Sequence, residues 1–178
     1  MCRYVVLETN KQMYQYYGVP DNKLVPFAFS WGYRRFREIA AEFKAQKSKF
    51  RAELGIPEND FVILYVGRLS HEKSPELLLE AYRNIDRTGK SLLYVGDGAL
   101  RAPMESYVEE HGVDSVHFLG FQDRLQIPKY YAVSDALILP SRREATGGVV
   151  NEAMAFGLPV IISDQVGFGV DFVIPGSN

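Results

Sequence analysis

The sequence predicts an α/β fold built on a doubly wound parallel sheet, and three observations carry that prediction. Short, continuously apolar runs recur from Phe61 onward, and helix-length amphipathic segments separate them. The chain is also long enough for one sizeable core, with 178 residues of which 47% are hydrophobic and 24% charged.

The elements follow in chain order. Tyr4 to Leu7 reads as a strand, Asn10 to Tyr17 as a helix, GVPDN as a turn and Lys23 to Phe27 as a second strand. That makes one αβ unit, too little for a domain. From about Tyr33 to Leu54 a basic, polar helix is expected, with Phe36, Ile39, Phe43 and Phe50 as a thin apolar stripe. It reads as a solvated helix leaning on the domain. Next come FVILYVG, PELLLEAYRNI, SLLYVG, LRAPMESYVEEHG, SVHFLGF, a mixed segment, ALILPS, VVNEAMAFG and PVIIS, a train of βα units. Phe61 to Val66, Ser91 to Val95 and Ala136 to Leu139 are apolar without alternation, as strands buried on both sheet faces must be. Ser74 stands where it would N-cap a helix with Pro75 in its first position, and Gly89 and Gly112 stand where helices should stop. Pro128 divides Asp123 to Ser134 into a turn and a short helix beginning near Pro128. The chain stops at VIPGSN, in mid-loop, and both ends read as cut from something longer.

Bulk properties exclude several classes of partner. A formal net charge of -2 gives no basic field for a nucleic acid, so any phosphate site must be local. The single cysteine, Cys2, cannot build a disulfide framework or a Cys-based zinc site, which suits a reducing cytosol. No apolar run approaches the roughly 20 residues that span a bilayer, and MCRYVVLETN lacks the features of a signal peptide.

In an open parallel sheet, ligands bind beyond the carboxyl ends of the strands, so the loops there carry the chemistry. GRLSHEKSPE puts Gly67, Arg68 and Lys73 ahead of a helix start, which is the outline of an anion site or, on spacing alone, simply two basic residues on a solvated surface loop. GDGAL supplies Gly96 and Gly98 for close backbone approach or a tight turn; Arg101 stands where a dinucleotide fingerprint would need its third glycine. Phe121 and Gln122 follow Gly120, where backbone groups and a ring could hold a flat base. His71, His111 and His117 have no metal-ligand spacing and read as surface or packing residues. The fourth loop, Pro140 to Gly148, runs through Glu144, Ala145, Thr146, Gly147 and Gly148 into a helix from Val149 to Phe156. Glu152 shares the largely apolar face of Val149 and Phe156, so its carboxylate should be paired or ligand-bound. A structural partner and a ligand both remain open on this pattern.

At these residues the sequence resembles the retaining GT-B glycosyltransferases of family four. Glu144 and Glu152, separated by seven residues, match that family's E-x7-E motif. GRLSHEK is similar to its GRL-x-x-x-K loop, and YVGDGALR, FLGF and SDALILPS stand in family order. The resemblance implies a Rossmann-like fold, the carboxy-terminal half of a GT-B architecture. Residues 1–30 would then be a remnant of the amino-terminal acceptor domain, 31–57 a connecting helix, and 58–178 the donor-binding domain, truncated at its end.

It further implies a UDP-, GDP- or ADP-sugar as donor, and a glycan or lipid-linked acceptor in the full-length protein. Arg68 and Lys73 would grip the diphosphate, Glu144 the transferred sugar and Glu152 the ribose, with Arg68, Lys73 and Glu144 the catalytic set. Gly67, Gly96, Phe121, Gln122, Ala145, Thr146, Gly147, Gly148 and Val149 would complete the donor site. No cofactor or divalent metal is implied. The setting is cytoplasmic, at the inner face of a membrane if the amino-terminal domain associates with one. Ser74-Pro75, Thr146 and Gly148 depart from the family pattern, which leaves the sugar open. The alternatives are a GT-B-fold sugar-nucleotide epimerase, a Rossmann oxidoreductase, which the missing third glycine argues against, and a non-catalytic nucleotide- or carbohydrate-binding module.

Overall fold

Strand order in the main sheet decides where a ligand can sit. In the computed structural model, which describes residues 4–6, 8–26 and 33–167, five parallel strands run β5-β4-β3-β6-β7. They are β3 (Phe61–Val66), β4 (Lys90–Val95), β5 (Val116–Phe118), β6 (Ala136–Leu139) and β7 (Val160–Ile162). The chain winds outward from β3 through α4 (Pro75–Arg83) and α5 (Arg101–His111) to β5. It then returns through α6 (Ile127–Val133) to the other side of β3 and continues through α7 (Gly148–Ala155). Right-handed crossovers that travel in opposite directions cover opposite faces, so the sheet is doubly wound as the sequence predicts.

Burial accounts for the unbroken apolar runs. Val62 to Val66 and Leu92 to Val95 lie in the core, and the rings of Tyr65, Tyr94 and Phe118 pack in a row across three adjacent strands, the first pair tilted with centroids 5.4 Å apart and the second stacked at 5.1 Å. The Tyr94 hydroxyl is satisfied by the Pro75 carbonyl at 2.8 Å, which seats α4. A separate parallel pair, β1 (Tyr4–Val6) and β2 (Leu24–Pro26), flanks α1 (Glu8–Tyr16) and a 3-10 turn at Asp21–Lys23. Cys2 and the VIPGSN end lie outside the described residues.

Four expectations need correction. The long helix from Tyr33 to Leu54 is two helices, α2 (Tyr33–Lys44) and α3 (Lys47–Glu53), interrupted at residues 45–46. Nor are they merely solvated. Phe36 is buried in an aromatic cluster with Tyr131 of α6 and Phe156 beyond α7, at 6.0 and 6.2 Å. Arg51 of α3 is 2% exposed. Its guanidinium donates to the carbonyls of Val133, Glu58 and Asp60 and to Asp135 Oδ2, while Asp135 also takes Lys47 Nζ and the Val62 N–H. One basic side chain thus ties α3 to the amino ends of β3 and β6. Ser74 does hold the N-cap position of α4, but at φ 48° its hydroxyl caps nothing and turns to the His71 carbonyl. Gly89 stops no helix: α4 ends at Arg83, and Gly89, at φ +67°, makes the turn into β4. Gly112 does cap α5, at φ 58°. α6 begins at Ile127 with Pro128 in its first turn, as the sequence implies.

Candidate functional site

The winding reverses between β3 and β6, so the loops leaving these neighbours go to opposite faces and a crevice opens between them. The β3 loop supplies Gly67, Arg68 and Lys73; the β6 loop supplies Glu144 to Gly148. Backbone bonds clip the two loops together, because the Glu72 carbonyl accepts the N–H groups of Arg142 at 2.9 Å and Arg143 at 3.1 Å. Behind them, the segment after β7 grips Glu144: the Glu144 N–H bonds the Gln165 carbonyl, and Gly167 donates back to the Glu144 carbonyl at 3.0 Å.

Two clefts meet in this crevice. The first, of about 370 Å³, is lined by Val66, Gly67, Arg68, Val95, Gly96, Asp97, Phe121, Gln122 and Ile127. The second, of about 390 Å³, shares Val66, Gly67 and Arg68 and adds Ser70, Glu72, Lys73, Glu144, Gly147, Gly148 and Val149. Arg68 therefore stands at their junction. Its guanidinium is exposed and, among the described residues, has no partner, while the Tyr65 hydroxyl fixes its carbonyl at 2.9 Å. Main chain packs closely on main chain beside this junction. A Cβ on Gly96 would lie 1.9 Å from the Gly67 carbonyl oxygen, and one on Gly98 would lie 2.3 Å from that of Leu69. Only glycine fits there.

Charges in the second cleft are already engaged with one another. Lys73 Nζ donates to Glu144 Oε2 at 2.6 Å and to the Arg143 carbonyl at 3.1 Å. Glu144 Oε1 accepts the Gly147 N–H at 3.3 Å, at the start of α7. Gly147 is in the left-handed region at φ 72°, and a Cβ there would meet Val166 Cγ1 at 2.6 Å. Gly148 has open space around its Cα and leaves the cleft wide. In the first cleft, Phe121 presents an 82% exposed ring, and Gln122 Nε2 is held by the Leu119 carbonyl at 2.6 Å.

Not every expected residue joins these clefts. Ala145 and Thr146 are exposed on the loop and line neither cleft, and Glu152 lines neither. Glu152 has instead a structural partner, the hydroxyl of fully buried Tyr131 at 2.8 Å. Burial raises the Glu152 carboxyl above its ordinary range, opposed by the Tyr131 hydrogen bond and the charge of Arg124. Burial also drives the Tyr131 hydroxyl well upward, helped by Glu152. Pattern reading missed Ser70, Glu72, Asp97, Ile127 and Tyr131. Asp97 was legible as the middle residue of the Gly-Asp-Gly turn; it caps the Gly98 N–H at 2.7 Å and pairs with Arg101 at 3.2 Å. Of the histidines, His71 pairs with Glu76 at 3.4 Å, His111 stacks on Tyr107, and His117 is half-buried on β5. Among the described residues no three His, Cys, Asp or Glu side chains gather as a metal site would require.

The fold is a Rossmann-like α/β domain of the kind that forms the carboxy-terminal half of GT-B glycosyltransferases. The chain belongs to the family of glycosyl transferases group 1, whose model matches residues 46–178. It is 33% identical over 165 residues to a D-inositol 3-phosphate glycosyltransferase of Segniliparus rotundus, covering 88% of this chain and 35% of the relative. With an uncharacterised glycosyltransferase of Methanocaldococcus jannaschii it shares 36% identity over 124 residues, 68% of this chain and 32% of that one. The chain thus spans about a third of the length of the curated relatives it matches. Among solved structures, HepE of Anabaena in complex with UDP has the same fold, with a TM-score of 0.79 at 22% identity over 97% of this chain and 47% of HepE. Among the described residues no helix is long and apolar enough to cross a membrane.

Proposed function

We propose that this chain is the donor-binding part of a retaining glycosyltransferase, which moves a sugar from a nucleotide diphosphate onto a glycan or lipid-linked acceptor. One observation carries the reading: two clefts of different chemistry meet at the exposed guanidinium of Arg68, which has no partner among the described residues. The first, with Phe121 and the glycines Gly67 and Gly96, suits a base and its ribose; the second, with Lys73, Glu144 and the start of α7, suits a diphosphate and its sugar. In this reading Arg68 and Lys73 hold the diphosphate, Glu144 takes sugar hydroxyls, and Gly147 and Gly148 bring the helix start to the phosphates. Glu152 reaches the ribose only after a movement of its side chain or of the neighbouring loop, since it starts outside both clefts.

In the reaction so proposed, the bond from the anomeric carbon to the diphosphate oxygen breaks and the acceptor oxygen bonds to the same face. The acceptor proton passes to a phosphate oxygen. Fixed cations that meet the charge developing on the leaving diphosphate are worth roughly 10²–10³ in rate each. They perform the service a divalent metal gives elsewhere, so turnover should not depend on one. The acceptor side belongs to the amino-terminal domain, through which the parent would meet the cytoplasmic face of a membrane; the chain alone should turn over little or nothing.

Calorimetry and thermal denaturation with UDP, GDP and ADP test the reading. The matching nucleotide at ~100 times its dissociation constant should stabilise the chain by roughly 2.7 kcal/mol. Arg68→Ala should weaken that diphosphate far more than the corresponding nucleoside. Silence with all three nucleotides would sink the proposal.

A further inference from the structure

The second cleft carries no net charge. Its lining includes two cations, Arg68 and Lys73, and two carboxylates, Glu72 and Glu144. Of the groups that could meet a diphosphate, Glu144 engages two: the Lys73 ammonium at 2.6 Å, and the Gly147 N–H at 3.3 Å. The side chains of Lys73 and Glu144 are only 21% and 18% exposed, so water screens their attraction weakly. The Lys73 ammonium is anchored a second time, on the Arg143 carbonyl. A bare diphosphate entering this cleft must draw Lys73 away and leave the Glu144 carboxylate facing its own negative charge.

We infer that Glu144 makes the site discriminate the sugar-bearing donor from its nucleoside diphosphate product, acting as an internal anion that competes for Lys73 and the start of α7. The inference rests on the donor reading above. A nucleotide sugar brings hydroxyls that donate to the carboxylate, so Glu144 releases Lys73 to the diphosphate without being left unpaired. Once the sugar has gone to the acceptor those donors are gone, and the carboxylate reclaims Lys73 while repelling the product. Binding energy is thereby tied to the intact donor, and release of the product is favoured.

The test is titration of the chain, wild type and variant, with UDP, GDP and ADP. Glu144→Gln keeps the volume and an acceptor for the Gly147 N–H but removes the charge. It should bind the preferred diphosphate roughly tenfold more tightly, the size of effect expected when a partly screened like charge is removed at close range. Glu144→Ala should move affinity in the same direction, and circular dichroism checks that each variant is folded. A general loss of structure could only weaken binding, so tightening is specific to the charge. Unchanged or weaker diphosphate binding by both variants, while Arg68→Ala still weakens it, overturns the inference alone. If Arg68→Ala has no effect on any diphosphate, the donor reading falls and this inference falls with it.

Discussion

Arg51 and Arg68 stand at opposite ends of β3 and use the same guanidinium in opposite ways. Arg51, beneath the amino ends of β3 and β6, spends its donors on three carbonyls and on Asp135, and Lys47 completes the neutralisation. Arg68, just beyond the carboxyl end, is exposed and, among the described residues, spends none. One end of the sheet is closed by satisfied charge; the other keeps a cation available at a crevice lined with glycine. Stability and ligand recognition are thus concentrated at separate ends, and substitutions should separate them too.

The largest effect is expected at the closed end. Arg51→Ala takes this donor from the carbonyls of Val133, Glu58 and Asp60 and removes one of the two cations paired with Asp135, and loss of one partner of a buried pair costs roughly 3–5 kcal/mol. Urea denaturation should show that loss, while nucleotide affinity, measured where the variant remains folded, stays unchanged. Gly96→Ala comes next: a methyl group 1.9 Å from the Gly67 oxygen forces two loops apart. Overpacking of this kind costs roughly 1–3 kcal/mol, and here it should reduce both stability and nucleotide binding, the one substitution expected to break the separation.

Acid titration sharpens the contrast through two carboxylates. Although burial alone would raise Asp135, its hydrogen bonds to Lys47 and the Val62 N–H, with the charges of Lys47 and Arg51, hold it below its ordinary range. Its contribution is complete above the unfolded carboxylate range and is lost as pH falls through the depressed folded value. Asp135→Asn should therefore be least stable relative to wild type at neutral pH, and the deficit should shrink in acid. Glu152 behaves in reverse, since its raised value means the folded state holds a proton more readily than the unfolded chain. Glu152→Gln should raise the melting temperature at neutral pH, an advantage that fades as pH falls through the raised value. Melting curves across the acid range settle both signs.

The smallest changes belong to the open end. Arg68→Ala should alter stability by no more than about 0.5 kcal/mol, as for any exposed side chain without partners. Gly148→Ala meets no atom within 4 Å, so it should gain roughly 0.5 kcal/mol by restricting the unfolded chain while narrowing the cleft. Denaturant midpoints would show either departure.

How much of this was legible follows from the range of the interactions. Strands β3, β4 and β6 were visible because burial on both faces demands unbroken apolar runs, and the four loops were visible because glycine and charge mark them. The break between α2 and α3 was not, since no Pro or Gly stands at Ala45 or Gln46 to signal it. Arg51 was hidden for a different reason: amid Lys, Glu and Gln it reads as solvated, and two of its partners, Val133 and Asp135, lie 82 and 84 positions away. Lys73 and Glu144 were both singled out, yet their pairing across 71 positions, which neutralises half of the presumed clamp, exists only in the folded chain. Glu152 was recognised as needing a partner, but nothing in the spacing pointed to Tyr131.

The main-chain packing beside the first cleft limits how this surface can change. Gly67 bonds the Val95 carbonyl, Gly96 bonds the Gly120 carbonyl, and neither Gly96 nor Gly98 has room for a side chain. The contacts here are made by main-chain atoms, and any side chain added at Gly96 or Gly98 displaces a loop, so exchange of side chains at these positions can disrupt but not retune what lies against them. Variation in ligand preference must therefore come from the rim, at Phe121, Gln122 or Ile127, or from insertions and deletions that redirect whole loops. A library randomised at Gly96 and Gly98 should return almost nothing but glycine, whatever ligand it is selected against.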